Sequence, residues 1–191
     1  MVRTKEFDPE AALERAVELF WERGYERTSL HDLVARMGIG RRSLYDTFGD
    51  KHALFLAALH RYGARWSNEA TRITTEAPDA RQAIRALFEM SLTNGAALHR
   101  GCLMVNTATE ATIADGQADA IVGQNFAASS ELVRYLVDQG RRESSITERG
   151  SAEGLTSAIY NAWLALRVRV RAGEDPAQLR AELDDLLTLL D

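Results

Sequence analysis

The apolar residues of this chain recur with the period of a helix almost from end to end, and that narrows its possible folds more than any other feature. Leu13, Ala16, Val17 and Phe20 fall at i, i+3, i+4 and i+7, the spacing that lines one face of a 3.6-residue turn. Phe55, Leu59, Tyr62 and Trp66 share a face in the same way, as do Ile84, Leu87, Phe88, Ser91 and Leu92. Further stripes hold Val122, Phe126, Val133, Leu136 and Val137, then Leu155, Ala158, Ile159, Ala162, Trp163 and Leu166, then Leu179, Leu183, Leu186, Leu187 and Leu190. Asp8-Pro9 and Asp175-Pro176 each pair a capping acid with a proline suited to the first helical position. The run LRVRVR (166–171) alternates with the period of a strand. It nevertheless continues an Ala-rich helical pattern and ends at Ala172-Gly173, and its arginines suit a helix C-terminus. The spacing predicts an all-α chain.

At 191 residues the chain has material for one large domain, or for a small one joined to a larger one. Its N-terminal stretch carries charges throughout, unlike a secretory leader, and no long apolar run suggests a membrane span. The single cysteine, Cys102, permits no intrachain disulfide and fits a reducing cytoplasm. The net charge of −5 speaks against a broad basic face for nucleic acid. Any phosphate contact must be local.

Residues 38–51, GIGRRSLYDTFGDK, supply such a place. Before them, Ser29 to Asp32 form a capping-box pattern that opens a short helix with Leu30, Leu33, Val34 and Met37 inward. Gly38 ends it, and Ile39-Gly40 make a tight connection to a second helix of about two turns, Arg41 to Phe48. Leu44 and Phe48, at i and i+4, anchor this helix and leave Arg41, Arg42, Ser43 and Asp46 on other faces. Two cations at a helix N-terminus oppose the helix dipole, at roughly 0.3–1 kcal/mol each. Entry into a DNA major groove gives them a use, because arginine reads guanine bidentately. The hydroxyls of Tyr45 and Thr47 and the charge of Lys51 suit phosphate oxygens. A simpler account, an Arg42–Asp46 pair on a solvated surface, explains neither Arg41 nor an exposed Tyr45.

The stretch TSLHDLVARMGIGRRSLYDTFGDKHALF (28–55) resembles the helix-turn-helix signature of the tetracycline-repressor (TetR) family. The resemblance is dense over the first fifty-odd residues, and the helical remainder is similar to the family's variable half. Gly40 departs from the usual capping residue, Thr47 from a frequent His or Tyr, and Gly49-Asp50 from other turn pairs. The resemblance implies a helix-turn-helix DNA-binding domain over residues 1–50 and a ligand-binding and dimerisation domain over 51–191. It implies a cytoplasmic regulator, usually a repressor, that binds a near-palindromic DNA operator as a homodimer and is released by a small-molecule inducer. Cofactors and membrane contact are not part of that expectation. By position, Arg41, Arg42, Ser43 and Asp46 fall among the base readers. Tyr45, Thr47 and Lys51 fall among the phosphate contacts, with Thr28, Ser29 and His31 near the backbone.

For the remaining chain, Leu155, Ile159, Leu179, Leu183, Leu186, Leu187 and Leu190 are candidates for a four-helix dimer interface, against the alternative of ordinary core. Tyr62, Trp66, Phe88, Met104, Phe126, Tyr160 and Trp163 are candidates to line a ligand cavity, or are likewise core. The residues show neither an acidic set for a cationic ligand nor an arginine cluster for an anion. Cys102, at the start of an expected helix running to about Ile113, is a candidate thiol sensor of oxidants or alkylating agents, or a small buried side chain. His99 and Cys102 form a single H-x-x-C pair, too little for a metal site. With no G-x-S-x-G, P-loop or H-E-x-x-H pattern, an enzyme is not expected. A helical interaction module without DNA binding is the remaining rival.

Overall fold

The computed structural model describes residues 7–96, 99–110 and 116–191. Among these the regular structure is helical: α1 (Pro9–Arg23), α2 (Leu30–Met37), α3 (Arg41–Phe48), α4 (Lys51–Glu76), α5 (Ala80–Ala96), α6 (Leu103–Thr109), α7 (Gly116–Arg142), α8 (Ala152–Ala172) and α9 (Pro176–Leu187), with a 3₁₀ turn at Thr188–Leu190. LRVRVR lies inside α8, as its context predicts. The expected end of α6 near Ile113 falls outside the described residues. Among the described residues no helix is long and apolar enough to cross a membrane.

The boundaries follow local chemistry. Asp8 accepts from the Glu10 N–H at 2.9 Å, and Pro9 begins α1. Ser29 and Asp32 form the complete capping box of α2, each side chain accepting from the other's backbone N–H at 3.1 Å. Gly38 ends α2 in the left-handed conformation (φ 69°), where a side chain would be strained. Asp50 caps α4 through the Ala53 N–H at 2.8 Å.

Two cores result, and α4 runs through both. In the first, α1, α2, α3 and the front of α4 bury Phe20, Leu33, Met37, Leu44 and Phe55, joined by Leu103 and Met104 from the α6 segment. Burial of each large side chain contributes about 1.5–3 kcal/mol. Phe20 and Phe55 meet edge to face at 5.0 Å. In the second, the rear of α4 joins α5, α7, α8 and α9 around Leu87, Leu92, Val137, Trp163 and Leu183. The first core continues along α4 to Leu59 and Tyr62.

The leucine stripe of α9 has a different use from the one expected. Leu179, Leu183, Leu187 and Leu190 are buried within the single chain, where α9 packs against α5, and Ile159 of α8 is buried where that helix packs against α5 and α7. Little of their surface remains on the outside of the single chain. Of the candidate interface residues, Leu155 and Leu186 alone keep part of their surface.

Candidate nucleic-acid interface and ligand cleft

Helix α3 is held from below and bare above. Leu44 is fully buried and Phe48 packs beside it, while Arg41, Arg42, Tyr45 and Asp46 are exposed and Ser43 and Thr47 half-exposed. Arg42 and Asp46 lie 3.6 Å apart, with 89% and 69% of their side chains open to solvent. At that exposure the pair adds little to stability and leaves the guanidinium available. Arg41 stands over the Tyr45 ring at 5.8 Å. Gly40 offers no side chain to cap the helix, so α3 forgoes a few tenths of a kcal/mol of capping and keeps free N–H groups at its outward end.

The flanking candidates separate. Lys51 sits over the Tyr25 ring at 4.1 Å, its charge held where α1, α2 and α4 converge. Ser29 and His31 are exposed at the start of α2. Thr28, expected near a DNA backbone, is completely buried, its hydroxyl donating to the Gly24 carbonyl at 2.6 Å. A Thr beside a helix start satisfies the main chain of the preceding turn, and here that draws its side chain inward.

Trp21, at the end of α1, was not apparent as a functional residue from periodicity. Its ring meets Tyr62 edge-on at 5.1 Å, its indole N–H donates to the Gly101 carbonyl at 3.2 Å, and the Arg100 guanidinium lies 4.5 Å over its face. Arg100 also pairs with Glu18. Burial alone would raise the Glu18 carboxyl, but hydrogen bonds from Arg65 and Arg100 hold it below its ordinary value. Below this, the Glu110 carboxylate accepts from the backbone N–H groups of Tyr25 (3.1 Å) and Glu26 (2.9 Å). The segment 99–110 thus grips the loop between α1 and α2.

Beside Trp21 opens a cleft of about 540 Å³, whose walls include Trp21, Tyr62, Trp66 and Met90, with Arg65 and Arg72 also lining it. That volume suits a small molecule. The same four wall residues continue into a recess of about 30 Å³ that adds Ser91, Gly101, Cys102 and Arg167. Of the candidate pocket residues, Tyr62 and Trp66 therefore line this space. Trp163 does not line it but packs behind Trp66, the ring centroids 5.7 Å apart, its N–H donating to the Ser91 hydroxyl at 2.9 Å. Phe88 borders a separate groove with Leu166 and Leu183. Met104 is buried in the first core, and Tyr160 donates to the Phe126 carbonyl at 3.1 Å. Burial, with the Cys102 thiol beside it, pushes the Tyr62 phenol well above its ordinary value, so it stays neutral. Cys102 itself is buried and is the N-cap residue of α6, without a side-chain capping bond.

Arg167 stands in the alternating run, whose period does not mark it as buried. Its helical phase with Ile159, Trp163 and Val170 was the available signal. Among the described residues, no set of three or more His, Cys, Asp or Glu side chains gathers as a metal site.

A capped helix, a glycine turn and a short second helix with two bare arginines define a helix-turn-helix protein, here joined to a helical body with a cleft. The model for bacterial regulatory proteins of the tetR family matches residues 12–58, and that for the tetracyclin repressor-like C-terminal domain matches residues 80–185. The chain belongs to the tetR family of bacterial transcriptional regulators. It is 32% identical over 149 residues to the HTH-type transcriptional repressor ComR of Escherichia coli (strain K12), spanning 73% of this chain and 69% of that one. It is 42% identical over 113 residues to the HTH-type transcriptional regulator YezE of Bacillus subtilis (strain 168), a match spanning 58% of each, so less than two thirds of that relative. Among solved structures, a cysteine mutant of the TetR family regulator CifR, complexed with 26-bp double-strand operator DNA, superimposes with a TM-score of 0.87 at 27% identity. That match covers 99% of this chain and 100% of that one.

Proposed function

We propose that this protein is a repressor that binds a near-palindromic operator as a homodimer and leaves it when a small molecule occupies the cleft beside Trp21. One observation carries the reading: Trp21 belongs to α1 of the helix-turn-helix and is also a wall of the cleft. A ligand there displaces a side chain built into the DNA-binding unit. The likeness to CifR on its operator and to the repressor ComR supports the DNA partner and the sign of control.

On DNA, α3 enters the major groove with Arg41 and Arg42 toward guanine edges, Arg42 exchanging its weak pair with Asp46 for a base. Ser43 and Asp46 face neighbouring bases. Tyr45, Thr47, Lys51, Ser29 and His31 meet phosphates, joined by the uncapped N–H groups at Gly40, which suit an anion. Two-fold symmetry sets the two α3 helices one helical turn apart, or a multiple of it. For the dimer, α8 offers an exposed stripe without charge, Gly154, Ser157, Ala158, Asn161, Ala165 and Val168, flanked by the half-exposed Leu155 and Leu186. Small side chains there permit close helix approach.

Selection of sequences from a random DNA library, followed by fluorescence anisotropy on the enriched site, tests the reading. A two-fold symmetric site bound by two protomers is expected. Failure to enrich any sequence overturns it in favour of an interaction module. A second reading has Cys102 as the sensor, favoured by its place in the recess with Tyr62 and Arg167. Under it, Cys102→Ser abolishes release by N-ethylmaleimide or peroxide. Unchanged release in the variant removes it.

A further inference from the structure

Arg167 is the one fully buried charged side chain among the described residues, 3% exposed. Its guanidinium carbon lies 3.9 Å from the Trp163 ring centroid and 5.8 Å from that of Trp66. Stacking on tryptophan offsets part of the cost of burying a cation, but not what a full ion pair would. Among the described residues no carboxylate pairs with it, and its Nη2 is buried with no hydrogen-bond partner. Arginine cannot escape by losing its proton. A positive charge is therefore kept inside the protein with one N–H group unsatisfied, and Arg167 lines the recess beneath the cleft.

The recess constrains what completes it. At about 30 Å³ it admits a group of a few heavy atoms, and the other side chains around it, Trp21, Tyr62, Trp66, Met90, Ser91 and Cys102, are neutral. One cation among neutral neighbours balances one negative charge. The planar fork of arginine fits a carboxylate, which it binds through parallel N–H bonds. Beyond the recess the cleft widens between Trp21, Trp66 and Met90, surfaces for a flat or aliphatic body.

We propose that the inducer is an organic monocarboxylate, its carboxylate seated on Arg167 in the recess and its apolar body lying along Trp66 and Trp21. This rests on the reading of the protein as ligand-responsive and names the ligand class of the same cleft.

The test uses the full chain with benzoate, phenylacetate, 3-phenylpropionate and octanoate at millimolar concentration, each beside its amide. Thermal unfolding is expected to shift upward by several degrees with at least one acid and not with its amide, since selective binding to the folded state stabilises it. Calorimetric titration of that acid into Arg167→Met is expected to show at least tenfold weaker binding. The melting curve of Arg167→Met without ligand shows whether the variant is folded. The acid–amide comparison on the unaltered protein does not depend on the variant. The proposal is overturned if none of the four acids shifts the transition, if an acid and its amide shift it equally, or if Arg167→Met binds the acid unchanged. Operator release is read separately. Operator binding without any response to acids removes the ligand class and leaves the regulator. Acid binding through Arg167 without any operator removes the regulator and leaves the site.

Discussion

The indole N–H of Trp21 donates to the carbonyl of Gly101 across 3.2 Å, bridging 80 positions of sequence. Trp21 lies in the last turn of the first helix of the DNA-binding unit, and Gly101 lines the recess just before α6. Trp21→Phe keeps a ring in place and leaves the buried Gly101 carbonyl without its donor. The expected cost is about 1–3 kcal/mol of stability, measurable by urea unfolding. An unchanged midpoint would show that the bond contributes nothing to the joint.

Gly101 is constrained from the other side as well. Its φ is 60°, and a Cβ there would lie 2.8 Å from the Arg167 carbonyl oxygen and 2.9 Å from the Arg171 Cβ. Gly101→Ala must move backbone against backbone, and a loss of about 1–3 kcal/mol is expected. Because Arg167 is displaced with it, acid binding in the cleft weakens in the same variant.

The DNA face predicts two kinds of defect. Under the proposed docking, Arg42→Ala is expected to relax discrimination at one operator position by about 1–3 kcal/mol. Lys51→Ala weakens all sequences alike and lowers the salt slope by about one unit. Anisotropy titrations at several salt concentrations, with operator and scrambled DNA, separate the two. Identical behaviour of both variants would contradict the placement of α3.

For the dimer, charge in the exposed stripe of α8 and truncation in the core of α9 have different outcomes. Ala158→Arg places a cation on an exposed position, so it yields a folded monomer in sedimentation and weak operator binding. Leu183→Ala opens a cavity in the buried core and costs about 2–5 kcal/mol regardless of association. If Ala158→Arg remains dimeric, α8 is not the interface.

That contrast shows what was legible in the sequence. Asp8-Pro9, the Ser29–Asp32 box and Gly38 are local signals, and each element begins or ends where they stand. Periodicity identified the apolar face of α9 correctly, but a face does not name its partner, and α5 of the same chain covers it. The surroundings of Thr28 and Arg167 were not legible for a related reason. Each is polar by type, and only the packed chain shows one turned to a carbonyl and the other stacked on tryptophan. Cys102 was found by its position, while the cleft it borders is assembled from α1, α4, α5, the α6 segment and α8, which no single stretch of sequence displays.

An acid dependence follows from Glu18. Its carboxyl is held below the ordinary value of 4.5 by hydrogen bonds from Arg65 and Arg100, which outweigh burial. A depressed folded value means the contribution is fully present above the unfolded value and is lost as pH falls through the folded one. The melting temperature of Glu18→Gln is expected to lie below that of the unaltered protein at pH 7. The gap closes as pH drops below about 4.5. A gap independent of pH would assign the effect to packing instead.

The grip of Glu110 on the loop between α1 and α2 is made entirely to main-chain N–H groups, those of Tyr25 and Glu26. Every residue but proline brings such a donor, so the clasp does not depend on which side chains occupy the loop. Mutation can alter those side chains and the nearby reading surface, and with them the genes addressed, without uncoupling the body from the DNA-binding unit. A chain joined in this way can exchange its target and its signal independently over evolutionary time.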